Sequence, residues 1–560
     1  MTNKAIAQKF DDLANIMELH GENPYKIRSY QNAHVLLRKL SQSVAEMTHA
    51  ELVAMKGIGK AIAEKVQELL ATGELRAYHQ YAEKTPVGVR DMLHIKGFGP
   101  KKVKVVWEEL GVESMGELLY ACLENRLIAL KGFGEKTQAA LIEQINYLEQ
   151  AKGKYLYATL DKEWERLRPL LEAALPDEHF ELAGEMRRRC IVLERIDILT
   201  TASDLQVLFD EKLFVEQTMS GGAVFAKTKG GFPVVLRQCG REALGSKLFL
   251  HTGPKDFLDL FLALASSDNF KQLPNEEQLF EKANLPYVVP ELRDSTYVRA
   301  YLNSVRPYPD FVNANTNNKL VELSDVQGIL HTHTTHSDGI HTIEEMARHA
   351  QTLGYAYLGI TDHSKSAFYA NGLQEERVRA QWDEINSLNK QFTDFAILKG
   401  IEADILPDGR LDYGDDLLQG FDFVIASVHS HLKMDEVKAT QRLIKAIEHP
   451  CTNILGHPTG RLLLARRGYP IDHERVIDAC AANSVAIELN ANPHRLDLDH
   501  EWLPYAMQRN VMVAINPDAH TREAMGDLRY GVFAARKGGL TKGACLSCLG
   551  LSDLLAFFRK

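Results

Sequence analysis

The sequence predicts a multidomain chain that begins with an α-helical region and ends in a closed or nearly closed β/α barrel. Between residues 325 and 560, seven short apolar runs each end in side chains able to bind metal, with helix-length segments such as Thr342–Leu353 between them. Short β-rich runs alternating with helices are the pattern of a mostly parallel sheet. Such folds gather reactive side chains at the carboxyl ends of their strands, and a barrel brings seven such ends to one point. Within the first 150 residues a Lys-Gly-apolar-Gly turn recurs three times, each before a helical pattern. A length of 560 residues fits three or four domains of about 100–200 residues each.

Taken in order, the runs deliver His331 and His333, Asp362-His363, Glu402, His429, His457, Asn490, and finally Asp518 and His520. With Asp338, the candidate metal ligands are His331, His333, Asp338, His363, Glu402, His429, His457, Asp518 and His520. A single catalytic zinc takes about three protein ligands, so nine imply a cluster of two or three ions. Nitrogen and oxygen donors without thiolate suit Zn²⁺, Mn²⁺ or Fe²⁺. Isolated histidines can merely cap strands, but nine ligand types at or just after strand ends point to metal.

The motifs His331-Thr-His333 with Ser337-Asp338-Gly339, Asp362-His363-Ser364, Gly400-Ile-Glu402, Ser427-Val-His429-Ser430, Gly456-His457-Pro458 and Asp518-Ala-His520 resemble the polymerase-and-histidinol-phosphatase (PHP) domain over residues 325–560. The resemblance implies a distorted seven-stranded β/α barrel whose three metal ions hydrolyse phosphoesters. Arg461, Arg466 and Arg467 follow the Gly-His-Pro motif and are candidate phosphate donors. Arg461 and His431 are the candidate catalytic side chains, and Asn490, Asn492 and Arg495 are further candidates for the same mouth.

Composition is that of a globular protein, 45% hydrophobic and 25% charged. No apolar run approaches the ~18 residues of a membrane span, and the N-terminus lacks the apolar core of a signal peptide. Seven scattered cysteines fit a reducing cytoplasm, and a monomer with no membrane partner is expected. Cys545 and Cys548 form a C-x-x-C pair without a second pair or a nearby histidine to complete a zinc site. A net charge of −10 excludes wholesale coating of nucleic acid but leaves room for local basic patches.

Such patches are expected at the three turns, Lys56-Gly57-Ile-Gly59-Lys60, Lys96-Gly97-Phe-Gly99-Pro-Lys101-Lys102 and Lys131-Gly132-Phe-Gly134-Glu-Lys136, spaced by 40 and 35 residues. Glycines permit a sharp turn and close approach, and the helix that follows opens with unpaired N–H groups that favour phosphate. The turns resemble the helix-hairpin-helix motif, which grips the DNA backbone without reading sequence. Upstream, Asn23-Pro-Tyr-Lys-Ile-Arg-Ser-Tyr30 resembles the lyase domain of family X DNA polymerases. Lys65 falls where that family's lyase members carry a Schiff-base lysine. An ordinary surface or phosphate-binding lysine is the simpler reading there.

Residues 153–312 resemble the palm and thumb of the same polymerases, an α/β nucleotidyltransferase fold, with Thr252-Gly253 and Val289-Pro-Glu-Leu-Arg293 in the thumb. Nucleotidyl transfer uses two metal ions, gripped by carboxylates at positions i and i+2 of one strand face and by a third nearby. The family pattern is Gly-Ser-x-Arg-Arg, then Asp-x-Asp. This chain has Gly184-Glu185-Met-Arg187-Arg188, then Arg195-Ile-Asp197, and Val235 stands where the third carboxylate belongs. Gly184, Arg187, Arg188 and Asp197 would be the remnant of a polymerase site without its metals. The expected division is a lyase-like segment (1–80), a second hairpin region (81–152), a degenerate palm (153–240), a thumb (241–312), a linker (313–324) and the PHP barrel (325–560). The expected function is a DNA-repair nuclease, a 3′-5′ exonuclease or abasic-site phosphodiesterase, on gapped, nicked, recessed or abasic DNA. The alternatives are an active gap-filling polymerase, which Arg195 and Val235 oppose, and a small-metabolite phosphatase, which the three lysine-rich turns oppose.

Overall fold

A computed structural model describes the chain apart from residues 41, 96, 151–152, 211, 266–269, 295–318 and 560. Lys96, the end of the expected thumb and residues 313–318 of the expected linker therefore lie outside the described residues. The chain forms two compact units, Met1–Tyr147 and Leu148–Lys560.

The first unit is helical. Thr2 caps helix Asn3–Leu19, and Asn23 with Pro24 opens helix Pro24–Lys39, as a capping side chain and an N1 proline favour. Ile6, Phe10, Leu13 and Met17, spaced by three and four, bury one face of the first helix against Tyr30, Ala33 and Leu37 of the second. A second core gathers Val89, Met92, Phe98, Val103, Val106 and Leu118.

The second unit opens with seven strands: β1 (Tyr155–Leu156), β2 (Phe180–Ala183), β3 (Val192–Leu193), β4 (Ile196–Thr200), β5 (Phe214–Ser220), β6 (Ala223–Thr228) and β7 (Pro233–Gln238). β1 pairs with β3, and the others form a sheet in the order β2-β4-β7-β6-β5, in which only β4 and β7 run parallel. Seven more strands follow: β8 (Gly328–Ile329), β9 (Tyr357–Ile360), β10 (Ala396–Asp404), β11 (Phe423–Ser427), β12 (Ile454–Leu455), β13 (Ala486–Asn490) and β14 (Val513–Asn516). They pair in parallel, each beside its sequence neighbour. The ring closes through a bridge between Thr332 and Ala519, where Ala519 N–H donates to the His331 carbonyl and His333 N–H to that of Ala519. This is the expected seven-stranded barrel. The predicted helix after the first ligands spans Ile343–Thr352, with Thr342 and Glu345 forming a reciprocal capping box.

One end of the barrel is filled with hydrocarbon. Tyr357, Leu398, Phe423, Ile425 and Ile454 pack on the C-terminal helix Leu551–Phe558, and the Phe423 and Phe558 rings stack at 5.0 Å. A Cβ at Gly359 or Gly400 would lie 2.5 or 2.6 Å from Phe423 Cζ, so glycine there makes room for the ring. With that end sealed, the carboxyl ends of the strands carry the polar groups. Against the barrel's outer helix Leu528–Lys537 pack residues of the expected palm and thumb: Arg189 lies 3.7 Å over Phe533, Lys537 bonds Asp294 at 2.5 Å and Arg536 bonds Glu291 at 2.7 Å. Among the described residues no helix is long and apolar enough to cross a membrane.

Candidate metal centre and nucleic-acid interface

The nine candidate ligands converge at the open end of the barrel. Three groups have ligand atoms within 4.8 Å of one another: His333, Asp338, His363 and His520; His331, His333 and Asp518; His363, Glu402 and His429. Glu402, near the end of β10, is the hub. Its carboxylate lies 3.0 Å from both His363 and His457, 3.1 Å from His429, 3.4 Å from His331 and 3.7 Å from His333. Asp338, from the loop after β8, lies 3.4 Å from His520 and 3.5 Å from His363.

These groups fit divalent cations. Nε2 of His331, Nδ1 of His333, both ring nitrogens of His363, Oδ2 of Asp338 and Oε2 of Glu402 are buried and make no hydrogen bond among the described residues. Each such orphan costs about 1–3 kcal/mol when left bare, and shared cations satisfy them together. Burial alone would push the Glu402 carboxyl up, but the imidazoles of His429, His331 and His363 outweigh it and hold the group well below its usual range. Burial and the neighbouring His520 and His363 push His333 down, toward the neutral form that ligates metal.

A second layer orients the ligands. Glu488 on β13 is fully buried; it bonds His331 Nδ1 at 2.7 Å and accepts from His457 N–H and Asn516 Nδ2. Asp404 bonds His429 Nδ1 at 2.6 Å. Both contacts leave Nε2 of the imidazole facing the cluster, the arrangement that fixes metal-binding tautomers. Sequence reasoning passed over both carboxylates. The signal was there: Asp404 stands two after Glu402 and Glu488 two before Asn490, and residues two apart share a strand face.

The remaining barrel candidates divide. Asn490 Nδ2 donates to Asp518 Oδ2 at 3.1 Å, and the buried Arg495 reaches the same oxygen at 3.6 Å. Asn492 uses its side chain to accept from His494 N–H. Arg461, expected at the phosphate, is committed elsewhere: it pairs with Asp499 and donates to the carbonyls of Arg495 and Leu496, pinning the loop after β13. Arg466 donates to the Gly460 carbonyl, whereas Arg467 is exposed. His431 is exposed in left-handed backbone and makes no hydrogen bond or ion pair among the described residues. Cys545 is buried, its thiol pushed well up by contact with Cys548 and by burial, and no group of potential metal ligands among the described residues includes either thiol.

In the helical unit, Gly57, Gly97 and Gly132 take φ of 100°, 81° and 91°, conformations that favour glycine. Gly59 and Gly99 cap helices Lys60–Thr72 and Pro100–Leu110 without side-chain hydrogen bonds. The third helix begins at Glu135, next to Gly134 and Lys136. Ile58 and Phe98 are buried between the glycines, while Lys56, Lys60, Lys101, Lys131 and Lys136 are exposed and Lys102 lies 5.8 Å over the Phe133 ring. Lys65 lies 3.9 Å from Glu68, one turn on in the same helix.

In the mixed α/β region the carboxylate expected as the remnant of a polymerase site lies between arginines. Asp197 bonds Arg195 Nε at 3.1 Å and Arg237 Nη1 at 2.7 Å. The parallel register sets Val235 directly beside Asp197. Gly184 lies so close that a Cβ would come within 2.8 Å of Asp197 Oδ2. Arg187 pairs with Glu276 at 2.6 Å and Arg188 with Asp294 at 3.0 Å. Glu194, Arg195, Glu216, Lys227 and Val235 share one open cavity on this face.

Three family models match the chain: a helix-hairpin-helix domain over residues 1–75, a SAM-like helix-hairpin-helix tandem over 89–146 and a PHP domain over 330–492. A probable phosphatase of Thermoanaerobacter sp. (strain X514) is 28% identical over 39% of this chain and 88% of its own length. A probable phosphatase of Aliivibrio fischeri (strain MJ11) is 31% identical over 36% of this chain and 80% of its own. The DNA polymerase/3'-5' exonuclease PolX of Bacillus subtilis (strain 168) is 32% identical over the full length of both chains. Two helix-hairpin-helix regions, a mixed α/β middle and a C-terminal PHP barrel in one continuous match make this chain a member of the PolX family.

Proposed function

We propose that this chain is a metal-dependent DNA phosphoesterase of DNA repair. In this reading the barrel removes nucleotides from 3′ ends and trims abasic sites, the hairpins hold the DNA backbone, and the palm transfers no nucleotide. The observation that carries it is the cluster of nine ligands around Glu402, with its unpaired buried atoms. The full-length relative's name, which includes a 3'-5' exonuclease, supports the same reaction. Relatives named as phosphatases match only part of this chain, and the hairpins argue for a polymer as this chain's substrate.

His331, His333, Asp338, His363, Glu402, His429, His457, Asp518 and His520 would hold two or three divalent ions, manganese or zinc first and iron(II) next. Bound there, such ions supply Lewis acidity, lowering the pKa of a water and neutralising charge on the phosphoryl and leaving oxygens. The chain's own residues set the stage. Glu488 and Asp404 hold the protons of His331 and His429 on Nδ1 and so keep Nε2 free. Asn490 and Arg495 orient Asp518, and the Arg495 guanidinium keeps a permanent positive charge beside the path of an anionic phosphodiester. Gapped, nicked, recessed or abasic DNA, a monomeric protein and a cytoplasmic location complete the proposal.

The test is a metal screen of the purified protein on a labelled primer–template with a recessed 3′ end, with and without dNTPs. Shortening of the primer in Mn²⁺ or Zn²⁺, unaffected by dNTPs, is expected. Extension would favour a polymerase, and an intact primer together with release of phosphate from small esters would favour a metabolite phosphatase.

A further inference from the structure

The loop between β9 and helix Glu375–Asn389 leaves the metal centre at His363 and returns to it. Its neck is closed by Leu373 N–H donating to the His363 carbonyl at 2.8 Å. Gly372 allows that closure, since a Cβ there would lie 2.0 Å from the Ser364 carbonyl oxygen. Ser364 N–H donates to the carbonyl of Glu402, and Ser366 N–H bonds Asp412 at 2.6 Å. At the far side Asn371 and Arg377 donate to the His336 carbonyl, tying the loop to the one that carries Asp338. Within this frame Ala367, Ala370 and Leu373 are buried to 1% exposure or less, whereas Phe368 stands 82% exposed. Two ring contacts in series link it to the ligands: Tyr369 lies 6.3 Å from His363, and Phe368 lies 6.0 Å from Tyr369.

A loop this firmly tied holds the backbone of its exposed aromatic residue in place, two ring contacts from the ligand His363. We propose that Phe368 is a stacking platform for the unpaired 3′-terminal nucleobase of the DNA strand cut at the metal centre. The proposal rests on the phosphoesterase reading above. Bases of any identity offer a flat π face, so such a platform is indifferent to sequence. It discriminates by pairing instead, because a paired terminal base must give up its partner and its stacked neighbour to reach the platform, a cost that an unpaired base does not bear. The barrel is thereby selective for single-stranded and frayed 3′ ends.

The test uses the full-length protein in Mn²⁺ and single-stranded oligonucleotides ending in either an ordinary nucleotide or a tetrahydrofuran abasic residue. On the ordinary end, Phe368→Ala should raise KM about tenfold, a loss of the size that base–aromatic stacking produces, with little change in kcat. Phe368→Trp should restore the wild-type KM. On the abasic end the wild-type protein should already show the raised KM, and the alanine variant should add nothing to it. Equal losses on both ends, or no loss on either, would overturn the proposal. A 3′-terminal 2-aminopurine titrated in EDTA gives a readout that needs no cleavage. The wild-type and Trp proteins should quench it and Phe368→Ala should not; an unquenched wild-type complex overturns the stacking. If the wild-type protein cuts neither end, the phosphoesterase reading has failed, and the 2-aminopurine titration decides the stacking by itself.

Discussion

Glu488 lies buried at the barrel's polar end, yet its two carboxylate oxygens serve one imidazole, two side-chain amides and one backbone N–H rather than offering themselves to a cation. Glu488→Gln keeps the shape but loses the charge that holds the His331 proton on Nδ1. Loss of such an outer partner typically lowers metal affinity by about 10–100-fold. Titration of Mn²⁺ into the metal-free variant should show that drop with the fold intact by circular dichroism; unchanged affinity would make Glu488 a mere packing group. His333→Ala or Asp518→Ala should go further and abolish hydrolysis, while DNA affinity stays within a few fold because the hairpins lie in the other compact unit. At this scale the sequence was informative where a ligand terminates an apolar run, as His363 and His429 do. It pointed to Glu488 only through that residue's two-position spacing from Asn490, inside an apolar run, and it held no sign of the contacts that engage Arg461. The partner that engages Arg461, Asp499, lies 38 positions away, and only folding brings the two together.

At the scale of the element, the hairpin is a division of labour between backbone and side chain. The glycine at positive φ turns the chain, the apolar residue after it anchors the turn, and the next glycine leaves the helix's first N–H groups without a side-chain cap. Replacing Lys60, Lys101, Lys102 and Lys136 together by alanine should therefore weaken DNA binding equally for all sequences. It should also flatten the salt dependence, by about 0.9 in log–log slope for each duplex phosphate that is no longer neutralised. Fluorescence anisotropy across a salt series measures this, and an unchanged slope would show that other residues neutralise the phosphates. Gly57→Ala should act differently, through backbone strain at a φ of 100°, costing roughly 1 kcal/mol or more of stability with the lysines intact. Elements of this kind were legible because each is short, local and repeated. The barrel strands were legible for another reason: β9, β11, β13 and β14 are buried along their whole length, so they read as apolar runs, interrupted in β13 by Glu488 and ending in Ser427, Asn490 and Asn516 in the last three. The closure through Thr332 and Ala519 was not, since it joins the two ends of the domain.

For the whole molecule, the proposed reading of the mixed α/β region as a palm without metals raises the question of what else that region does. Its arginines and the thumb's acids now form a network that reaches the barrel. Arg188 pairs with Asp294, Lys537 from the barrel's outer helix pairs with the same carboxylate, and Arg187 and Arg293 both hold the buried Glu276. Breaking such a network strands a buried charge, which is strongly destabilising, so on this reading the region braces the barrel whether or not it reacts. That argument leads to the last prediction: the protein should not extend a primer in Mg²⁺ or Mn²⁺. The experiment requires the His333→Ala background, because an active nuclease would erase short products and imitate a dead polymerase. The ground is charge. Arg195 and Arg237 already neutralise Asp197, a permanent cation occupies the position of one expected carboxylate, and Val235 beside it has no lone pair. Glu185 adds negative charge where a triphosphate would arrive, so both the ions and the charge neutralisation that phosphoryl transfer depends on are missing. Arg195→Asp alone should not restore synthesis, since Arg237 still holds Asp197 and Val235 still offers nothing. A gel assay with a labelled primer, its template and dNTPs reads both variants together. Template-dependent extension by the His333→Ala protein, free of contaminating polymerase, would show that the palm assembles a metal site from other residues and would overturn its reading as a brace.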